Sequence, residues 1–253
     1  MSKSVARQLA ESLEAHDVDR IFCVPGESYV GLTSELIDRN SMQLIVCRHE
    51  AGAGFMAVAD GRLRNRAGVA MVSRGPGLAN AMVSLHSAFH DATAMVMLIG
   101  HVERRDIGRQ ALQEQNYSRL LSDITKQVIE VIDPNQASEA IARAFHTAET
   151  ATPGPVAVIL PEDIFDQQTD ATIDQPRARI ASAPREQDLD HLLQDRQQAA
   201  VVHAHALGQQ LARAQDLRQG AVARLQPRER VLDEQVHGAL LARGQQAELG
   251  AAG

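Results

Sequence analysis

Short apolar runs alternate with helical patterns through residues 1–165, and this alternation limits the chain to very few folds. Val5, Leu9 and Leu13 mark one face of an opening helix, and 21–24 is a short buried strand ended by Pro25 and Gly26. A helical stretch at 29–38 leads to a strand at 44–47, and an Ala- and Gly-rich helix at 50–64 leads to a strand at 68–72. A glycine turn, Ser73-Arg74-Gly75-Pro76-Gly77, then opens a helix at 78–89. Residues 94–99 are continuously apolar, as a strand covered on both faces must be. A strand at 128–132, a helix begun by Asp133-Pro134 and a last strand at 156–160 complete the pattern. Strands of this kind between helices predict a doubly wound α/β fold, a parallel sheet with helices on both faces. In such sheets ligands collect outside the carboxyl ends of the strands. Pro25-Gly26, His49-Glu50 and Gly75-Pro76-Gly77 all fall at those ends, which predicts that the three turns line one crevice.

Composition removes several classes of function. A net charge of −7 offers no basic face for phosphate neutralisation and argues against nucleic acid. No apolar run approaches the ~20 residues needed to span a bilayer, and the first residues lack an apolar signal segment. The expectation is therefore a cytoplasmic protein with no membrane partner. Cys23 and Cys47 sit in apolar strands without CxxC or metal-ligand spacing, and read as buried free thiols. His86 and His90 are four apart on one helix, but no third ligand accompanies them, so they read as surface or interface histidines.

Glu50 is the first candidate for chemistry. By itself, a Glu in a first helical turn is read as a partner of the helix dipole. The glycine turn has the outline of a dinucleotide-binding loop, but Asn80 replaces its third Gly and Pro76 stands between the other two. No acidic residue closes the next strand at the usual distance of about 20 residues, which argues against a nicotinamide cofactor. Arg104, Arg105 and Asp106 read as solvated charges.

Several short segments, in order, resemble the pyrimidine-binding domain of thiamine diphosphate enzymes of the acetolactate synthase-like family. These are Val24-Pro25-Gly26, Arg48-His49-Glu50, Gly75-Pro76-Gly77-Leu78-Ala79-Asn80, Leu112-Gln113-Glu114, Ile124-Thr125-Lys126, Pro153-Gly154-Pro155-Val156 and Leu160-Pro161-Glu162-Asp163. The resemblance covers residues 3–165. It implies thiamine diphosphate as cofactor, with Glu50 hydrogen-bonding the pyrimidine ring and sharing a proton with it. Such sharing calls for a partly desolvated carboxylate with a raised pKa. The resemblance also puts Pro25, Gly26, Ser73, Pro76 and Asn80 beside the cofactor and Gln113 at its substrate end. Leu112 stands where the family carries Phe, which puts an acetolactate-type pocket in doubt. The implied chemistry is decarboxylation or carboligation of a 2-oxo acid, a transferase or lyase reaction.

The family holds magnesium and the diphosphate on a second domain through Gly-Asp-Gly, a tripeptide that does not occur in these 253 residues. The expected organisation is a pyrimidine domain at 1–165 and a linker or start of a middle domain at 166–193. An Ala/Gln/Arg-rich tail follows at 194–253. Beyond Arg185, Ile, Phe, Ser, Thr, Asn, Met and Lys vanish, which fits a solvated helical tail broken at Pro227 or a gene read out of frame. The abruptness of the change favours the second. The expectation is a truncated or frame-shifted chain, inactive alone, with magnesium held by a domain it lacks. Two alternatives are one subunit of a split enzyme and a catalytically silent partner or regulatory protein. The family's sites form between subunits, so a homodimer, a homotetramer or a separate diphosphate-domain chain is expected.

Overall fold

The computed structural model describes residues 2–180, 188–198, 200, 209 and 213. The chain divides into two compact units, Met1–Ser182 and Ala183–Gly253. In the second, 188–198 are helical, and the remainder of the sequence-based reading of 194–253 lies largely outside the described residues.

The first unit begins with strand β1 (Lys3–Ser4) and helix α1 (Val5–Ala15), followed by β2 (Arg20–Cys23), α2 (Val30–Ile37) and β3 (Gln43–Val46). Next come α3 (Glu50–Arg64), β4 (Gly68–Val72), α4 (Pro76–His90) and β5 (Met95–His101). The unit closes with α5 (Tyr117–Leu121), β6 (Gln127–Glu130), α6 (Ala137–Glu149), β7 (Pro155–Pro161) and β8 (Gln168–Thr169). Six strands form one sheet in the order β3-β2-β4-β5-β7-β6, every neighbouring pair parallel. The expected doubly wound α/β fold is present. The expected strands and helices are all found, α3 and β4 at the expected bounds and the others with shifted ends, and the sequence pattern missed α5 and the antiparallel pair β1–β8.

Alternation along the strands sorts the core into two layers. Val69 and Met71 of β4, with Val96 and Leu98 of β5, join Leu9, Leu13, Ile141 and Phe145 of α1 and α6. Ala70 and Val72, with Met97 and Ile99, face Ala53, Ala57, Leu78 and Leu85 of α3 and α4. Low aromatic content is thus matched by small side chains that let α3 run close over β4.

Lys126 has a structural task. Its ammonium donates to the carbonyls of Thr147 and Thr150 at the end of α6, the latter at 2.8 Å, and burial pulls its pKa down. Its stem lies over Gly154, where a Cβ would approach Lys126 Cδ to 2.9 Å. Lys126→Met keeps the stem and loses the cap. Thermal unfolding should show a loss of about 1–3 kcal/mol, since these bonds carry a charged donor. An unchanged midpoint would show that water replaces the cap without cost.

Candidate functional site

Strand order reverses at β2: the chain steps outward to β3, then returns to place β4 on the other side. The carboxyl ends of β2 and β4 therefore flank the switch point, where crevices form in open α/β sheets. After β2, Gly26 lies so close to the turn after β4 that a Cβ on it would sit 2.6 Å from Ser73 Cβ. Ser28 Oγ and Ser73 Oγ then share a hydrogen bond of 2.9 Å. The buried Tyr29 hydroxyl donates to the Val24 carbonyl and fixes the same turn. Arg74, buried, pairs at 2.8 Å with Glu27 and at 2.9 Å with Glu162. It thus ties the turns after β2, β4 and β7 together.

Gly75 has φ +46°, and a Cβ there would lie 2.6 Å from the Gln113 carbonyl oxygen. Glycine is required on both counts. Pro76 opens α4, where its missing N–H costs nothing. Beyond β3, His49 caps α3, its Nδ1 accepting from the Ala51 N–H at 3.1 Å. Glu50 is the first helical residue, so the positive end of the helix dipole favours its carboxylate.

The half-buried Glu50 meets the glycine turn directly. Its Oε2 accepts from Asn80 Nδ2 at 3.0 Å, across 30 residues of sequence. Its Oε1 lies 3.5 Å from where a Cβ on Gly77 would stand, so the missing side chain opens space beside the carboxylate. One oxygen is thereby fixed and the other faces the side-chain-free Gly77. A carboxylate so held can exchange a proton with a flat nitrogen ring, while Asn80 sets its orientation. Gly77 stands between the two groups: a Cβ on it would lie 3.3 Å from Ser73 Cβ, itself against Gly26, and 3.5 Å from the Glu50 carboxylate held by Asn80. Pro25 and Pro76 are exposed on the rim.

Residues 3–120 match the family model "Thiamine pyrophosphate enzyme, N-terminal TPP binding domain". Through these residues the chain belongs to that family. The catabolic acetolactate synthase of Raoultella terrigena is 35% identical over 178 residues, covering 70% of this chain and 32% of its own. The acetolactate synthase large subunit of Corynebacterium glutamicum is 31% identical over 189 residues, covering 73% and 30%. Acetolactate synthase 1, chloroplastic, of Zea mays is 32% identical over 191 residues, again covering 73% and 30%. The chain spans about a third of the length of these relatives.

In this thiamine pyrophosphate-binding domain, a carboxylate and a carboxamide are joined by a hydrogen bond beside a residue without a side chain. Among the described residues no group of three or more His, Cys, Asp and Glu is placed to hold a metal ion. No helix among them is long and apolar enough to cross a membrane. Both cysteines are free; Cys23 is buried and Cys47 is partly buried.

The other sequence candidates have varied surroundings. Gln113 is exposed in a left-handed conformation, φ +63°, and meets the turn through its backbone carbonyl. Glu114 fastens the loop by accepting the N–H groups of Gly108 and Ala111, bonds that lower its pKa against the opposing effect of desolvation. Arg104 is a bound charge: it pairs with Asp163 at 2.8 Å and donates to the Ile132 carbonyl. His86 and His90 stand exposed with ring centroids 4.4 Å apart. Sequence reasoning gave no role to Ser28, Arg74 or Tyr117, which hold the glycine turn. Only Arg74 carried a signal, as a charge inside a glycine motif.

Proposed function

We propose that this chain supplies the pyrimidine half of a thiamine diphosphate site in an acetolactate synthase-like enzyme. The reaction would be decarboxylation or carboligation of a 2-oxo acid. The observation that carries the reading is the Glu50–Asn80 hydrogen bond beside the side-chain-free Gly77. When bound, the cofactor supplies a carbon nucleophile for making or breaking a bond next to a carbonyl. Asn80 keeps the Glu50 carboxylate in one orientation, and Glu50 holds the proton exchanged with the ring. Ser73, Gly26, Pro25 and Pro76 shape the wall, and Gln113 reaches the substrate end.

Residues 1–165 act as the pyrimidine domain, 166–193 as the connection to a middle domain, and 194–253 as a separate tail. Magnesium and the diphosphate are held by a second domain, brought by a longer parent enzyme or a separate chain. Exposed Phe55 and Met56 on α3, with Val83 and Phe89 on α4, support a homodimer, a homotetramer or such a partner. These are the helices that carry Glu50 and Asn80, and exposed apolar surface of this kind marks interaction sites.

Calorimetry with thiamine and with thiamine diphosphate plus magnesium tests the half-site. Both ligands are expected to bind weakly and alike, with no saturation at micromolar ligand. Tight, magnesium-dependent binding of the diphosphate alone would mean that this chain holds a complete site. No binding of either at millimolar ligand would favour the silent-partner reading.

A further inference from the structure

The glycine turn hangs from side chains that belong to neither its strand nor its helix. The Arg74 N–H donates to Ser28 Oγ at 3.3 Å, and the next N–H, of Gly75, donates to the Tyr117 hydroxyl at 3.1 Å. Tyr117 is 1% exposed, and its hydroxyl donates onward to the Gly100 carbonyl at 3.5 Å. Gly100 makes room for this arrangement, because a Cβ there would stand 2.2 Å from Ser28 Oγ. His101 braces the Tyr117 ring edge-on, centroids 4.7 Å apart at 79°. From the opposite side the Gln113 carbonyl presses on Gly75.

We propose that Tyr117 is a positioning residue that sets the Glu50 carboxylate through the glycine turn. The path is continuous: Tyr117 fixes the Gly75 N–H, Gly75 fixes the start of α4, and α4 carries Gly77 and Asn80 against Glu50. A hydrogen-bond donor and acceptor in a dry site is needed here, since an unpaired N–H at Gly75 has no water to turn to. This accounts for a buried Tyr in a chain that otherwise uses few aromatic residues. The functional consequence rests on the role of Glu50 proposed above, whereas the positioning itself does not.

The test is nuclear magnetic resonance on the whole chain, comparing wild type, Tyr117→Phe and Leu121→Ala. Leu121 is buried on the same short helix and serves as the structural control. Tyr117→Phe is expected to keep the fold and move the Asn80 side-chain amide and the Gly75, Gly77 and Glu50 backbone amides. Leu121→Ala is expected to lower the unfolding midpoint and leave the Asn80 side-chain amide in place. Unmoved Asn80 resonances in Tyr117→Phe, or equal movement in Leu121→Ala, overturn the proposal. Should Tyr117→Phe not fold, amide exchange in wild type decides: Gly75 is expected to be protected, and exchange at the rate of an open loop overturns it. None of these readouts needs a ligand. Thiamine binding about fivefold weaker in Tyr117→Phe is expected on the loss of one hydrogen bond. Thiamine failing to bind wild type would sink the reading of Glu50 while leaving the resonance test intact.

Discussion

Glu50→Gln should lower turnover of the assembled enzyme by about 10²–10⁴-fold, the range contributed by a positioned proton-transfer group. The substitution is close to isosteric. Gln at this position still presents a carbonyl oxygen to Asn80 Nδ2, so the 3.0 Å contact survives and the fold with it. What is lost is the ability to hold a proton at a carboxylate oxygen. Single-turnover assays of 2-oxo acid consumption should show the chemical step slowed, with the unfolding midpoint of the isolated chain unchanged. Wild-type rates in the variant would remove Glu50 from the mechanism. Asn80→Ala should have the smaller effect, because it frees the carboxylate to turn without removing it.

Gly68→Ala should cost about 3 kcal/mol or more, the upper part of the range for overpacking a close-packed contact. At the start of β4, a Cβ on Gly68 would stand 1.9 Å from the Ala57 carbonyl oxygen and 3.1 Å from the Gly61 N. These are backbone atoms of α3, so no rotamer change relieves the clash. The helix itself must lift, and Glu50 stands at its N-terminus. A fall in the unfolding midpoint of roughly 6–12 °C corresponds to that cost in a unit of this size. Gly52→Ala on the same helix is the control. Nothing lies within 4 Å of the added Cβ, and Ala favours the helix by about 1 kcal/mol over Gly. A neutral Gly68→Ala would show that α3 is not pinned to β4.

The sheet was legible because its central strands are covered on both faces and so read as unbroken apolar runs. The turns were legible because Gly26 and Gly75 are demanded by close approach or positive φ. Family resemblance placed both Glu50 and Asn80 beside a cofactor, but the hydrogen bond between them was not legible, since 30 residues of sequence carry no local sign of a contact. Of the supports of the turn, only Arg74 left a mark in the sequence, as a charge inside a glycine motif. Ser28, Arg74 and Tyr117 gain their meaning only when the ends of β2, β4, β5 and β7 come together. Helix α5 is a single short element after an irregular loop, too brief for a helical period to register. Lys126 was read as a family mark, yet its task is to cap α6, a role set by tertiary position.

The central proposal is that Glu50, Gly77 and Asn80 together recognise a pyrimidine. The most direct measurement is a resonance titration of the isolated chain with thiamine, which lacks the diphosphate and needs no second domain. The expected result is progressive shifts at Glu50, Gly77 and the Asn80 side chain, which the Glu50→Gln variant largely loses. Shifts confined to other surfaces, or an equal response from Glu50→Gln, would contradict it.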